Sequence, residues 1–490
     1  MSWRKLPLRA ADWLPPETNP APWAGLLSSL TKEHDYECEV TGDLPDLSGT
    51  LYRVGPGLYD RGPDRKRMML DGDGMVQALS IREGRAHFRN RYVRTPKFVA
   101  EEQANRFLYP TFSTHGSGPL RHNLGLGIMN QANTTVIEWA GRLYAFDEGQ
   151  KPYELTGELG TLGEALLDPA QPKLSYWAHW KLDAIHQRLH LLSMVPGPKP
   201  VARVVSLDRD GQVAERQTIA LPRSVYIHDW FVTRNHFALL LHPAFISMPR
   251  MLEILIGRNT FASALEWRPE QGSTLTVARR GSNTTRNLST RPVWMWHAIN
   301  AFEAGDELVL DFIGGETAGG LGSDDEPLFR LMAGGEPGPP PEPDNWPRRI
   351  RVKPGDDHAD EQILLNDGKI ELPCVSAAER GAPYSQANMI RAVPGEMFTR
   401  SLCELDGATL TGRSFVFGEH EYCSEPVICD ELDGKPGRYL LTQVYSGLEK
   451  RSHYAVLDRQ DFMAGPVARI QLQHHVPLSF HGYWSTKVLA

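Results

Sequence analysis

Short runs of strand character, set about 8–12 residues apart and punctuated throughout by glycine and proline, constrain this chain more than any other feature. They include AHFRNRYVRT (86–95), GRLYAFDE (141–148), RLHLLSMV (188–195), HFALLLH (236–242), DELVLDFIG (306–314), GRYLLTQVYSG (437–447) and HYAVLDRQD (453–461). Several pair across a two-residue turn, as in SLDRDGQVAERQTI and IEWAGRLYAF, which is hairpin chemistry. The 44 glycines and 37 prolines are spread over 490 residues and form no single linker. Such a chain reads as all-β.

Several sandwiches or one radial structure would both use this many strands. The one compositional break, AGGEPGPPPEPDNWPRR (333–349), lies inside the strand-rich region and reads as a surface insertion. A closed β-propeller takes up the strands in one domain, 1–490, and hides its edges. No tight repeat is visible, so the propeller is a divergent one. Residues 1–35 read as an N-terminal extension. PAFISMPRMLEILIGRNTFASAL (243–265) is the main helical or loop insertion, unusually apolar for a connection.

Lys and Arg number 52 against 60 Asp and Glu, so the net charge of −8 disfavours a nucleic-acid binder held by bulk charge. No apolar run approaches the ~20 residues of a membrane span, and the N-terminus lacks the apolar core of a signal peptide. Five cysteines without a C-x-x-C argue against a disulfide framework or a thiolate metal site, and a cytoplasmic location is expected. Neither a nucleophile elbow nor a phosphate loop occurs. The acidic GSDDEP (322–327) lacks calcium-loop spacing and reads as a solvated turn.

His358-Ala359-Asp360 has the H-x-D form of an iron-binding pair, but its polar context, KPGDDHADEQ, reads as an exposed loop. Four other histidines lie in aromatic and apolar settings: His179 in YWAHWKLD, His228 in VYIHDWFV, His297 in VWMWHAINAF and His481 in LSFHGYW. Taken singly, each reads as a hydrogen-bonded core histidine. Their wide separations match no local metal motif. In a propeller, however, inner strands of different blades converge on one axis, where four neutral imidazoles would suit a late first-row divalent metal.

At these residues the sequence resembles the carotenoid cleavage oxygenase family, which includes the stilbene-cleaving dioxygenases. The resemblance runs from about Tyr36 to Trp484. It is carried by GTLYRVGPGLYD (49–60), LDGDGMV (70–76), AHWKLD (178–183), IHDW (227–230), WHAINAFE (296–303) and LSFHGYW (478–484). It implies a seven-bladed propeller under a dome of loops and short helices. It also implies an axial Fe(II) held by His179, His228, His297 and His481. Glu148, Glu371 and Glu425 match acceptors for the remote nitrogens of three ligands, which would fix tautomer and ring orientation. Thr134 in QANTTVIEW matches a threonine at the open side of the metal. The implied reaction is scission of one alkene bond with O2 to give two carbonyl products. Metal binding is expected to weaken below the ~6.5 reference of free histidine.

Stilbene-cleaving members place a tyrosine and a lysine on the substrate phenol. The matching positions carry Phe98 in RTPKF and Met129 in GIMNQANT, neither of which polarises a phenol. If 94–98 is extended, Lys97 points away. The expected substrate is therefore an apolar alkene, an apocarotenoid or carotenoid, in a tunnel that includes Phe98, Met129, Trp296, Leu252 and Leu255. The apolar segment 243–265 suggests peripheral membrane contact at the tunnel mouth. Cleavage of a stilbene or phenylpropenoid, alkene isomerisation, and a propeller that binds without catalysis are the competing readings.

Overall fold

A computed structural model describes residues 5–318, 327–335, 344–431 and 434–489. Six antiparallel sheets form seven blades around one axis. Blades 2, 3, 5 and 6 are each four consecutive strands, beginning at Thr135–Trp139, Lys181–Asp183, Trp294–Ala304 and Ile370–Val375. Blade 4 begins at Phe231–Val232, and the 243–265 segment interrupts it between its second and third strands.

Blades 1 and 7 share one continuous sheet. Strand Asp35–Gly42 makes the join: residues 35–38 pair with Arg85–Tyr92 of blade 1, and residues 39–42 pair with Pro466–Gln471 of blade 7. The last strand, Gly482–Ser485, returns to pair with Gly49–Leu58 in blade 1. Both ends of the chain thus lock the same sheet, leaving no open edge where the ring closes. Between blades, apolar faces pack into separate cores, such as Ile137, Phe146, Leu189, Leu191 and Val205 between blades 2 and 3.

The strand runs named above are strands, and the hairpins turn where expected. Val201–Leu207 pairs with Val213–Ala220, and Thr135–Trp139 with Arg142–Phe146. The turn of the second hairpin, Ala140-Gly141, has φ of 52° and 75°, the left-handed pair that matches strand twist.

Two expectations need correction. Residues 94–98 are not extended. Thr95 caps a helix, Pro96–Ala104, by accepting from the Phe98 amide, and Pro96 suits the first helical position. Lys97 is then fully buried, with Nζ 2.6 Å from Asp73 and 2.9 Å from Glu101. The 333–349 insertion is shorter than its composition suggests, because strand Trp346–Val352 claims its end. There Arg349 forms a two-pronged pair with Asp311, and Arg348 reaches Glu361. Residues 336–343 lie outside the described residues, as does most of GSDDEP. The N-terminal extension is packed: Leu26 and Leu27 are buried, and Arg65 donates to the Leu27 carbonyl.

Alanine at left-handed φ costs roughly 1–2 kcal/mol, and asparagine recovers part of it. Ala140 is exposed, so Ala140→Asn should stabilise the fold by about 0.5–1 kcal/mol in denaturant titration. Unchanged or lowered stability would contradict the strained-turn account.

Candidate metal centre

Four inner segments bring the aromatic-flanked histidines together. His179 precedes the inner strand of blade 3, His228 that of blade 4, and His481 the returning strand Gly482–Ser485. His297 lies within the inner strand of blade 5, at a bulge. The pairing jumps from Met295↔Gly314 to Ala298↔Phe312, leaving residues 296 and 297 unpaired and re-aimed. One ligand atom from each histidine lies within 4.8 Å of all the others. Imidazole nitrogens about 2.0–2.1 Å from a shared ion stand at most about 4.2 Å apart, so tenths of an ångström separate this set from coordination distances.

The donor set fits a metal. His297 Nε2 is buried without a partner. The Nε2 atoms of His179 and His228 face each other at 2.9 Å, where two like lone pairs repel unless a proton or a cation lies between them. Burial, followed by the neighbouring imidazoles, pushes His179 well below its usual range; burial does the same to His297, with His481 next. Both rings are therefore neutral, the state that ligates.

Carboxylates stand behind three of the rings. His228 Nδ1 is 2.7 Å from Glu148, His297 Nδ1 2.6 Å from Glu371, and His481 Nδ1 2.7 Å from Glu425. The Glu148 contact is close but off the line of a hydrogen bond. Burial raises Glu148, and it raises Glu371 to about 7. Glu371 also sits at a bulge, where Leu372 takes φ of 50° and its amide turns back onto the carboxylate at 3.0 Å. A left-handed leucine is costly, and here it accompanies the aiming of a site residue. His179 has no such carboxylate. Asp229 is 4.0 Å away and engaged by Lys181 and by the amides of Trp230 and Ala298.

The remaining expected residues are more scattered. Thr134 is buried just before strand Thr135–Trp139, its hydroxyl donating to Asn133. Trp296 lies edge-on to His228, 5.0 Å between centroids, and edge-on to Trp294 at 4.9 Å. With Tyr226 and Trp267 it forms an aromatic wall, against which Ile246, Phe261 and Leu265 of the apolar insertion pack. Leu252 and Leu255 face outward from helix Met248–Leu255, 62% and 41% exposed, whereas Ile254 turns inward. Met129 is half-buried in the loop before blade 2. Phe98 is a core residue, stacked on Tyr92 at 5.3 Å, so its identity carries no information about substrate polarity. His358 is in an exposed loop, bonded to Asp360 and Ser289.

Sequence reasoning missed three features. Arg53, in GTLYRVGPG, is fully buried and donates to the Glu425 and Phe480 carbonyls and to the Ser424 and Ser479 hydroxyls. It thereby binds the segment carrying Glu425 to the segment carrying His481. Gly74, in LDGDGMV, passes so close to Gln131 and Ala132 that a Cβ would meet the Ala132 carbonyl at 2.2 Å. The Leu70 and Gly72 carbonyls accept from the side chains of Gln131 and Asn133, which pins the segment before Thr134. Exposed Leu120, Leu124 and Leu126 adjoin helix Met248–Leu255 through the Gly125 amide and the Leu255 carbonyl. A buried arginine looks like any other in sequence, but the apolar spacing of Leu120, Leu124 and Leu126 was readable.

Arg53→Met should leave buried acceptors unpaired and cost at least about 3 kcal/mol in denaturant titration. A loss under about 1 kcal/mol would remove Arg53 from its role in joining the two segments.

Residues 27–486 match the profile of the retinal pigment epithelial membrane protein family. The chain is 26% identical to the apocarotenoid-15,15'-oxygenase of Synechocystis sp., over 95% of this chain and 96% of the relative. It is 27% identical to the isoeugenol monooxygenase of Pseudomonas nitroreducens, over 94% and 96%. The solved structure of cobalt-substituted Synechocystis apocarotenoid oxygenase superposes with a TM-score of 0.88 at 26% identity, covering 95% of this chain and 99% of that one. Propeller, converging histidines and a match over nearly the whole length agree: this chain belongs to the retinal pigment epithelial membrane protein family of carotenoid cleavage oxygenases.

Proposed function

We propose that this chain is a single-domain, Fe(II)-dependent dioxygenase that cleaves a C=C bond of an apocarotenoid or carotenoid with O2, giving two carbonyl products. The observation that carries the reading is the cluster of four imidazoles with three carboxylates behind them. His179, His228, His297 and His481 would hold the metal through neutral nitrogens. Bound Fe(II) supplies open positions at which O2 is activated. Glu371 and Glu425 would keep the Nδ1 protons of His297 and His481 in place and so direct Nε2 to the axis, with the Glu148 carboxylate beside Nδ1 of His228. Thr134 would restrict the approach to the open side.

Trp296, edge-on to His228 and backed by Trp294 and Tyr226, would give an apolar face against which a polyene can lie. Burying such a substrate yields roughly 25 cal/mol per Å² of apolar surface removed from water. The chain is assigned to a reducing cytoplasm, in line with five unpaired cysteines. Contact with a membrane surface is supported by the exposed Met248, Leu252, Leu255 and Ile256 beside Leu120, Leu124 and Leu126. Ile246, Phe261 and Leu265, on either side of that helix, pack on the aromatic wall, so a polyene leaving the bilayer would follow apolar surface toward the site. No helix among the described residues is long and apolar enough to cross a membrane.

A second reading, cleavage of a stilbene or phenylpropenoid to aromatic aldehydes, is favoured by His242. This buried imidazole has neither nitrogen partnered and lies 4.2 Å from the Trp294 ring, polar capacity that a phenol would use.

Iron content near one per chain is expected, with His228→Ala losing both metal and turnover. Retained turnover in that variant ends the assignment. Because burial holds His179 and His297 well below ordinary histidine, protons compete with the metal only below the usual histidine range. The unfolded chain takes up those protons near pH ~6.5, so fold stability should decline as the pH drops through that range. Iron retained after dialysis should therefore change little between about pH 7 and pH 6; a steep loss there would contradict neutral buried ligands. Specificity constants for an apocarotenal and a 4-hydroxystilbene in one detergent separate the two substrate readings, and a preference for the hydroxystilbene selects the second. Leu252→Asp should weaken binding to neutral lipid vesicles several-fold and leave the rate on detergent-dispersed substrate unchanged. Undiminished vesicle binding would remove this helix from the membrane surface.

A further inference from the structure

A separate cavity of ≈ 110 Å³ approaches the histidines along the propeller axis. Its lining is mixed and carries charged groups beside His179, His297 and His481. Lys181, Asp229, Asn300, Arg380 and Glu425 contribute to its lining, together with Trp180. Most of these polar groups are already committed. Lys181 pairs with Asp229 at 2.5 Å, and Glu425 accepts from His481 and from the Gly482 amide. Asn300 donates to the Glu379 and Ala382 carbonyls and accepts from the Gly381 amide. These three bonds fix the backbone on both sides of Arg380.

Arg380 itself has no hydrogen-bond acceptor and no carboxylate within 4.0 Å among the described residues. The Trp180 ring lies 5.5 Å from its guanidinium carbon. Trp180 is 9% exposed, and its buried Nε1–H is also without a partner. A guanidinium with five donors and an indole N–H therefore meet in one cavity, on a backbone that is held still.

We propose that this axial cavity is a binding site for a small carboxylate anion, held by the Arg380 fork with the Trp180 N–H as a further donor. Guanidinium matches a carboxylate with two parallel hydrogen bonds, and a fixed fork loses little entropy on binding. The volume admits an anion of a few non-hydrogen atoms, and Tyr226, Trp294 and Trp296, the wall proposed for the alkene, do not line it.

Calorimetric titration of the iron-loaded chain with sodium acetate, at constant ionic strength in chloride, tests the site. Saturable binding is expected, weakened about 10–100-fold in Arg380→Gln, the loss expected for one charge-assisted pair. Arg380→Lys keeps the charge but not the fork and should bind between the two. Trp180→Phe keeps the ring and removes one donor, so a several-fold loss is expected; it decides the matter if Arg380→Gln does not fold. No saturable heat in the native chain overturns the proposal. So does equal affinity in the native chain and the folded variants, which would put the anion on the metal or at the surface.

Discussion

A histidine that must present one nitrogen to a point in space has to be denied its other tautomer. Glu371 and Glu425 stand where they would impose that denial on His297 and His481, at 2.6 and 2.7 Å, and Glu148 lies 2.7 Å from His228 off the line of a hydrogen bond. Much of the surrounding structure follows from placing those carboxylates. Glu371 is aimed by a bulge and a left-handed leucine, and Glu425 is carried on a loop tied by Arg53. Burial raises Glu148 and Glu371 towards protonation, which opposes their work as acceptors. A divalent ion held by the four rings would oppose that shift, so ligand and carboxylate would favour one another. Acceptors and metal site thus form one electrostatic unit.

That unit tolerates little relative movement between blades, and the closure of the ring meets the requirement. His481 arrives on a segment that runs directly into Gly482–Ser485, which is paired to blade 1. The ring is closed a second time by Asp35–Gly42, which bridges blades 1 and 7. The final ligand is therefore placed by the same strand that seals the propeller. Loosening the closure would displace His481 relative to three histidines held on blades 3, 4 and 5.

The legibility of this chain in its sequence follows the range of the interactions involved. Strands such as Arg188–Val195, and the Ala140-Gly141 turn, were readable because alternation and turn chemistry act between near neighbours. The histidines stood out because an ionisable ring among tryptophans and tyrosines is unusual, yet only the resemblance gathered them on one axis. Residues 94–98 were misread because Thr95 and Pro96 are a helix start whose signal was outweighed by the neighbouring strand pattern. Phe98 was assigned to the tunnel by matching a position, whereas the helix turns it onto Tyr92. Arg53 and Arg380 were invisible for a different reason. Their significance lies in partners hundreds of residues away, or in having none, and neither property leaves a local pattern.

Two approaches of opposite chemistry meet at the histidines. On one side, Trp294, Trp296 and Tyr226 lead outward to the insertion and its exposed leucines. On the other, Asn300 and the Lys181–Asp229 pair line a narrow polar channel. A single apolar entrance would admit an alkene but would hold polar ligands poorly, because each unpaired hydrogen-bonding group left there costs about 1–3 kcal/mol. A single polar entrance would have the converse defect. The inner strands make both possible at once, since alternate residues point to opposite faces. At the bulge in blade 5, Trp296 belongs to the aromatic wall while His297 and Ala298 face the axial cavity. One irregularity in one strand thus supplies a histidine to the cluster and divides the apolar approach from the polar one.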